Sequence, residues 1–244
     1  MTEPGSNGES LAAPGPAAPV LKSGYLYWVA KVVLTPILTV AFRPKIDGVR
    51  RVPRRGPAIL ACNHVSYLDW LFLPLVVRTR RIVFLAKLEY FTRPGLKGAA
   101  QHYFFTATGQ VPVDRSGADA SSAALRTAKG LLGEGRLVGM FPEGTRSRDG
   151  RLYRGRTGVA RLAAETGVPV IPCATVGVFA IAPPGTRVPR PRRIAVRFGR
   201  PMTWPAGQPA SPGALRSWTD ELMAEIQRLS GQEVAGVDAW GARG

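Results

Sequence analysis

The chain has 244 residues, 45% hydrophobic and 20% charged, enough to bury the core of one sizeable α/β domain or two small ones. Its formal net charge of +17 implies an anionic partner: a nucleic acid, an anionic membrane or a phosphorylated substrate. Two cysteines exclude a disulfide framework, and the scattered cysteines and two histidines form no zinc-binding pattern.

Residues 1–20 are rich in Pro, Gly, Ser and Ala and read as a disordered tail without the basic start of a secretory signal. Residues 21–43 read as a membrane-associated helical segment. Its centre, Tyr25–Phe42, is apolar except for Lys31, Thr35 and Thr39. Spanning a bilayer takes about 17–25 residues, and a central lysine costs about 3 kcal/mol against roughly 0.3–0.6 gained per large apolar residue. Pro36 would also kink the helix. The reading is a helix sunk into one leaflet, with a spanning helix or an ordinary core helix as alternatives. The basic run Arg43, Lys45, Arg50, Arg51, Arg54 and Arg55 follows directly, which favours a membrane surface over nucleic acid. A second basic stretch, Arg187 to Arg216, lies where no Asp or Glu occurs between Glu165 and Asp220.

From residue 44 to 244 the pattern reads as one domain. Strands are expected at Ala58–Cys62, Ile82–Leu85, Val111–Val113, Leu137–Phe141, Val168–Thr175 and Ile194–Phe198. Helices are expected at Tyr67–Val77, Ala118–Leu132, Gly158–Thr166 and Pro212–Leu229, the last started by Ser211-Pro212. This alternation predicts an α/β fold: a mixed, partly parallel sheet flanked by helices, with the site at the carboxyl ends of the strands. Cys62 and Cys173 fall in strand runs and read as buried thiols of a reducing compartment.

Four blocks carry chemistry. In Asn63-His64-Val65-Ser66-Tyr67-Leu68-Asp69, His64 would sit in the loop after a strand and Asp69 in the first turns of the next helix. Asp69 could then hold one His64 nitrogen and leave the other as a general base. The bland alternative is a capping Asp near a hydrogen-bonded His. In Phe141-Pro142-Glu143-Gly144-Thr145-Arg146-Ser147, Gly144 would let backbone approach a ligand and Arg146 could grip a phosphate in a fork. Glu143 could bind ligand hydroxyls or orient an arginine; the alternative is a surface turn with a local ion pair. In Gly109-Gln110-Val111-Pro112-Val113-Asp114-Arg115 an arginine again closes a strand. The prolines of Val168-Pro169-Val170-Ile171-Pro172 limit that segment to an edge or bulged strand, expected to shape an apolar wall.

In this order and spacing the blocks resemble the glycerolipid acyltransferase family, especially 1-acylglycerol-3-phosphate acyltransferases, over roughly Ala58 to Thr175. Pro112 departs from the family pattern, where a larger hydrophobic residue is common. The resemblance implies transfer of a fatty acyl group from acyl-CoA or acyl carrier protein, as co-substrate and without a cofactor, to the free hydroxyl of lysophosphatidic acid. It implies His64 as base, Asp69 as its orienter, and Arg115, Glu143, Gly144, Thr145 and Arg146 around the glycerol phosphate, with no acyl-enzyme. It also implies attachment to the cytoplasmic face of the cell membrane. Glycerol 3-phosphate or another lyso-lipid could replace the acceptor.

Two rival readings stand beside it. A lipid hydrolase could use Ser66 with His64, although no G-x-S-x-G elbow is present. A nucleic-acid-binding module would explain the charge, but aromatics are not interleaved with the arginine clusters.

Overall fold

The computed structural model describes residues 24–113, 120–183, 186 and 189–236. The expected tail, Arg115, the start of the helix at Ala118, Arg187 and Trp240 lie outside the described residues.

A seven-stranded sheet forms the middle layer. Its strands are β1 (Lys45–Asp47), β2 (Ala58–Cys62), β3 (Ile82–Lys87), β4 (Gln110–Val113), β5 (Leu137–Met140), β6 (Val170–Val176) and β7 (Ala195–Phe198). They lie in the order β1-β7-β6-β2-β5-β3-β4, and neighbours run parallel except for β6 with β7. The helices are α1 (Gly24–Phe42), α2 (Asp69–Val76), α3 (Gly95–Ala107), α4 (Ala120–Gly133), α5 (Gly158–Thr166), α6 (Val178–Ile181) and α7 (Pro212–Ser230).

Strand periodicity sorts the core into two halves. Ala58, Leu60 and Cys62 point to the face covered by α2, α6 and the end of α1, with Phe72, Leu73, Val178 and Ile181. Ile59 and Ala61 point to the opposite face, where Leu131, Leu162, Leu222 and Ile226 of α4, α5 and α7 pack. Central strands buried on both faces explain the continuous apolar runs. Ser211 caps α7, accepting from the Ala214 amide at 3.2 Å, as the Ser-Pro start predicts.

Three elements were not legible: β1, the four-residue α6 and the thirteen-residue α3. The helix α3 contains two glycines and three aromatics, a composition of weak helical propensity. The β6 segment is not an edge strand, since it lies between β7 and β2. Pro169 precedes the strand, and Pro172 faces a bulge carried by the neighbouring chain and not by β6 itself. Between the pairs Cys173–Phe198 and Val170–Met202, two residues of β6 face three of the neighbouring chain. The Pro172 carbonyl accepts from Gly199 at 2.7 Å, so its missing N–H also faces that bulge and not the β2 ladder.

Candidate active site

The carboxyl ends of β2, β5 and β6 lie side by side, and the loops leaving them meet. His64 follows β2 by two residues, and its Nδ1 lies 3.0 Å from Asp69 Oδ2. The same oxygen accepts from the Val65 and Ser66 amides at 2.8 and 2.7 Å. Asp69 is the first residue of α2, so its carboxylate caps the turn that carries it. It is 0% exposed, and its Oδ1 accepts from Thr175 Oγ1 at 2.8 Å. Four donors thus converge on one carboxylate. An ionised carboxylate can only accept, so His64 Nδ1 carries a hydrogen and Nε2 keeps its lone pair. The His64 side chain is 17% exposed, and Nε2 has no partner among the described residues.

Asn63, beside the histidine, is buried and fully engaged. Its Oδ1 accepts from the Thr175 amide at 2.8 Å, and its Nδ2 donates to the Thr175 carbonyl at 3.0 Å and to Gln232 Oε1 at 2.7 Å. Thr175 therefore joins β6 to both Asn63 and Asp69. Sequence reading gave this strand only a wall; no periodicity marks a threonine at a strand end as a partner of an aspartate 106 residues earlier.

The loop after β5 braces the histidine from the other side. Glu143, expected on the substrate, is 1% exposed. Its Oε1 accepts from the His64 amide at 2.7 Å and its Oε2 from the Tyr153 amide at 3.0 Å. Both oxygens are thus bound to main chain beneath the loop. Burial pushes the Glu143 carboxyl up to about 7, against the pull of the two amides. The Ser147 amide donates to the His64 carbonyl at 2.7 Å, closing a second link. Gly144 has φ 75° and is exposed; a Cβ there would meet Arg156 Cδ at 3.1 Å, so Arg156 crosses over it. Thr145 is half-buried, and Arg146 is exposed without a hydrogen bond or ion pair among the described residues. Asp149 is engaged by Arg151, Tyr153 and Ser147.

An aromatic stack supports the imidazole. The His64 ring lies on Phe141 with centroids 3.9 Å apart and planes 14° apart, and Phe141 lies on Phe84 at 5.7 Å. Phe84 in turn lies over Gly139, where a Cβ would come within 2.3 Å of the ring. Gly139 thereby makes room for the stack that orients His64.

The alternative nucleophiles are withdrawn from solvent. Ser66 Oγ donates to the Ala182 carbonyl at 3.2 Å and accepts from the Leu68 amide, and the residue is buried. Cys62 is buried, and burial pushes its thiol well up. His102 is exposed, on α3, with Nδ1 3.0 Å from the Phe91 carbonyl. Trp70 packs against the core beside α2 and edge-on against Phe104 at 5.7 Å. Trp204 and Trp218 pack together on the α7 side, 6.0 Å apart.

Beside the site, α1 lies across α2. Tyr27, Lys31, Leu34 and Leu38 of α1 face Trp70, Leu71 and Pro74 of α2 around an apolar groove with about 380 Å³ of open space. Lys31 is turned inward: its Nζ donates to the Val77 carbonyl at 2.5 Å beside the Tyr27 and Trp28 rings. Burial, then Arg78, brings its ammonium down to about 8. The outer face of α1 is formed by Tyr25, Val29, Val32, Val33, Ile37 and Val40, with Val32 72% and Val40 73% exposed. Among the described residues no helix is long and apolar enough to cross a membrane.

A sequence model of the family described as Acyltransferase matches residues 43–176. A chloroplastic 1-acyl-sn-glycerol-3-phosphate acyltransferase of Arabidopsis thaliana is 31% identical over 161 residues, 66% of this chain and 43% of that protein. A 1-acyl-sn-glycerol-3-phosphate acyltransferase of Bacillus subtilis (strain 168) is 29% identical over 153 residues, 62% of this chain and 72% of that one. The chain spans less than half the length of the Arabidopsis and Brassica napus relatives it matches. The crystal structure of the 1-acyl-sn-glycerophosphate (LPA) acyltransferase of Thermotoga maritima superposes with a TM-score of 0.61 at 25% identity, covering 86% of this chain and 78% of that one.

Proposed function

The chain belongs to the acyltransferase family, and from that premise we propose that it transfers a fatty acyl group from a thioester to the free hydroxyl of 1-acyl-glycerol 3-phosphate, giving phosphatidic acid. The observation that carries this reading is the His64–Asp69 pair at the open rim of the sheet, with Nε2 and the Arg146 guanidinium on the adjoining loop both without a partner among the described residues.

In this mechanism the acceptor hydroxyl meets His64 Nε2 and gives up its proton as the oxygen attacks the thioester carbonyl. The tetrahedral intermediate collapses, the C–S bond breaks, and the leaving thiolate takes the proton back from the imidazolium. Asp69 holds the productive tautomer and faces the imidazolium as it forms. Transfer is direct, since Ser66 and Cys62 are buried and hydrogen-bonded. Arg146, with Arg115, which follows β4 in sequence, holds the phosphate. The donor is acyl-CoA or an acylated carrier protein.

The enzyme works as a peripheral or monotopic protein on the cytoplasmic face of the cell membrane. The uncharged outer face of α1 supports this, as does the convergence of the two basic stretches. Lys45 of β1 pairs with Ala195 of β7, and Arg51 donates to the Phe198 carbonyl. Arg43, Arg50, Arg190, Arg192, Arg193 and Arg200 are exposed on these same two runs, which favours an anionic lipid surface over nucleic acid. The test is an assay of membrane fractions with labelled acyl-CoA or acyl carrier protein and a panel of lysophosphatidic acid, glycerol 3-phosphate and other lyso-lipids. Mass spectrometry should show phosphatidic acid. Free fatty acid as the sole product would overturn the reading in favour of hydrolysis.

A further inference from the structure

The residues after α7 reach back into the site. Gln232 Oε1 accepts from Asn63 Nδ2 at 2.7 Å, and Gln232 Nε2 donates to the Gly150 carbonyl at 2.6 Å. On either side of the Gly150–Leu152 turn, main chain takes over: Leu152 donates to Glu233 at 2.8 Å and Ala235 to Leu152 at 2.9 Å. One side chain thus ties the histidine loop after β2 to the arginine loop after β5. It does so from a segment lying well beyond residues 43–176, which the family model matches.

We infer that Gln232 is a positioning residue for the acyl transfer proposed above, acting on His64 through Asn63 and Thr175. The chain of contacts is directional. Asn63 has two amide hydrogens and gives one to Thr175 and one to Gln232. Its Oδ1 is thereby turned to the Thr175 amide, and Thr175 Oγ1 is free to give its single hydrogen to Asp69, at 2.8 Å, rather than to Asn63, at 3.3 Å. Asp69 then receives His64 Nδ1. With Gln232 absent, one hydrogen of a buried amide has no acceptor. Asn63 must turn or flip to find one, and Thr175 loses the partner that fixes its hydroxyl. The same loss frees the Gly150 carbonyl, so the two loops keep only the Glu143 and Ser147 bonds to the His64 main chain. Gln232 does not touch the reacting atoms; its effect falls on the orientation of the base.

The test compares the parent with Gln232→Met, which keeps length and volume but removes both hydrogen bonds. Two readouts are combined: steady-state kinetics, and the ring nitrogen resonances of His64. The chain has two histidines, and His64→Ala assigns them. In Gln232→Met, kcat should fall roughly tenfold or more with KM for either substrate within about twofold, since a misplacement near 1 Å can cost about 10²-fold. The His64 signals should change from a single Nδ1–H tautomer to an exchanging mixture in a protein that is still folded. A kcat within twofold of the parent, or an unchanged His64 tautomer, would overturn the inference. If the parent itself transfers no acyl group, the proposed function fails and the tautomer alone decides the role of Gln232. Should Gln232→Met not fold, Gln232→Lys, which keeps a donor for Gly150 but offers Asn63 no acceptor, is read by the same two criteria.

Discussion

The hydroxyl of Thr175 donates to Asp69 Oδ1 at 2.8 Å, on the side of the carboxylate away from His64. It satisfies the outer oxygen of a fully buried acid, so Thr175→Val leaves an acceptor without its donor. The expected cost is about 1–3 kcal/mol of stability together with a fall in kcat. Thr175→Ser keeps the hydroxyl and should restore most of both. Urea unfolding and turnover measured on the three proteins decide this; a valine variant as active as the parent removes Thr175 from the site.

His64→Ala should abolish transfer while the fold stays intact, because it removes the oriented base of the proposed mechanism and general-base catalysis contributes about 10²–10⁴-fold. Asp69→Asn should be nearly as severe, since an amide facing Nδ1 permits the wrong tautomer. Its amide group would also confront the Val65 and Ser66 donors, so lower stability accompanies the loss. Turnover with purified, folded variants is the measurement, and near-normal rates in His64→Ala would remove the mechanism.

Glu143 makes a pH prediction. Its carboxyl is raised from an ordinary value near 4.5 to about 7, chiefly by burial. Between those values the native state holds a proton that the unfolded chain has released. Stability from this group is therefore fully present below about 4.5, declines as pH rises and is lost through about 7. Glu143→Gln removes that decline, at the cost of setting an amide group against a backbone N–H. Denaturant unfolding of both proteins from pH 4.5 to 8 should show a difference that shrinks as pH rises; a constant difference would contradict the raised carboxyl.

The layers and the His64–Asp69 pair were legible because each rests on local pattern. Apolar runs bounded by turns marked β2, β3, β5 and β6, and a histidine just past a strand with an aspartate opening a helix marked the pair. What was not legible depends on contacts distant in sequence. Thr175, Gln232 and the stack of Phe84, Phe141 and His64 over Gly139 are neighbours only once strands β2, β3, β5 and β6 are placed in order. The role of Glu143 is the instructive difference. A carboxylate in a strand-end loop beside an arginine suggests ligand binding, and only its burial against two amides reveals a brace. Lys31 is similar: counted as a cost in a membrane segment, it faces the protein and leaves the outer face of α1 uncharged.

That outer face carries the membrane prediction. Val32→Asp with Val40→Asp places two charges on exposed positions, so stability should change by less than about 0.5 kcal/mol per site. The protein should shift from the membrane to the soluble fraction. Removing residues 1–42 is a poorer test, since Phe42 packs edge-on against Phe72 at 5.2 Å and its loss opens the core. Flotation with anionic vesicles at low and high salt measures the effect; unchanged flotation of the double variant would place the contact on another surface.

The last prediction concerns the acceptor phosphate. Arg146 precedes Ser147, whose amide donates to the His64 carbonyl at 2.7 Å, so its backbone is fixed to the loop of the base. A surface arginine commonly has a local carboxylate; Glu143 and Asp149 are the candidates among the described residues, and Asp114 lies outside them. Neither serves: Glu143 is buried with both oxygens on main chain, and Asp149 is engaged by Arg151, Tyr153 and Ser147. A cation without a partner among the described residues, on the loop beside His64, suits a substrate that brings its own anion. A guanidinium can meet a phosphate with two parallel N–H donors, setting the angle of the glycerol and hence of its free hydroxyl. Arg146→Ala should therefore raise the acceptor KM and lower kcat, with a smaller effect on the thioester donor. Arg146→Lys should recover only part, because lysine keeps the charge and loses the fork. Arg115→Ala, outside the described residues, is expected to act in the same direction. Were Arg146 merely a solvated surface charge, alanine would change activity less than a few-fold, since exposed charges contribute roughly 0–1 kcal/mol. Kinetics with acceptor varied at saturating donor separate the two, and unchanged acceptor kinetics in both alanine variants would end the case for a phosphate clamp.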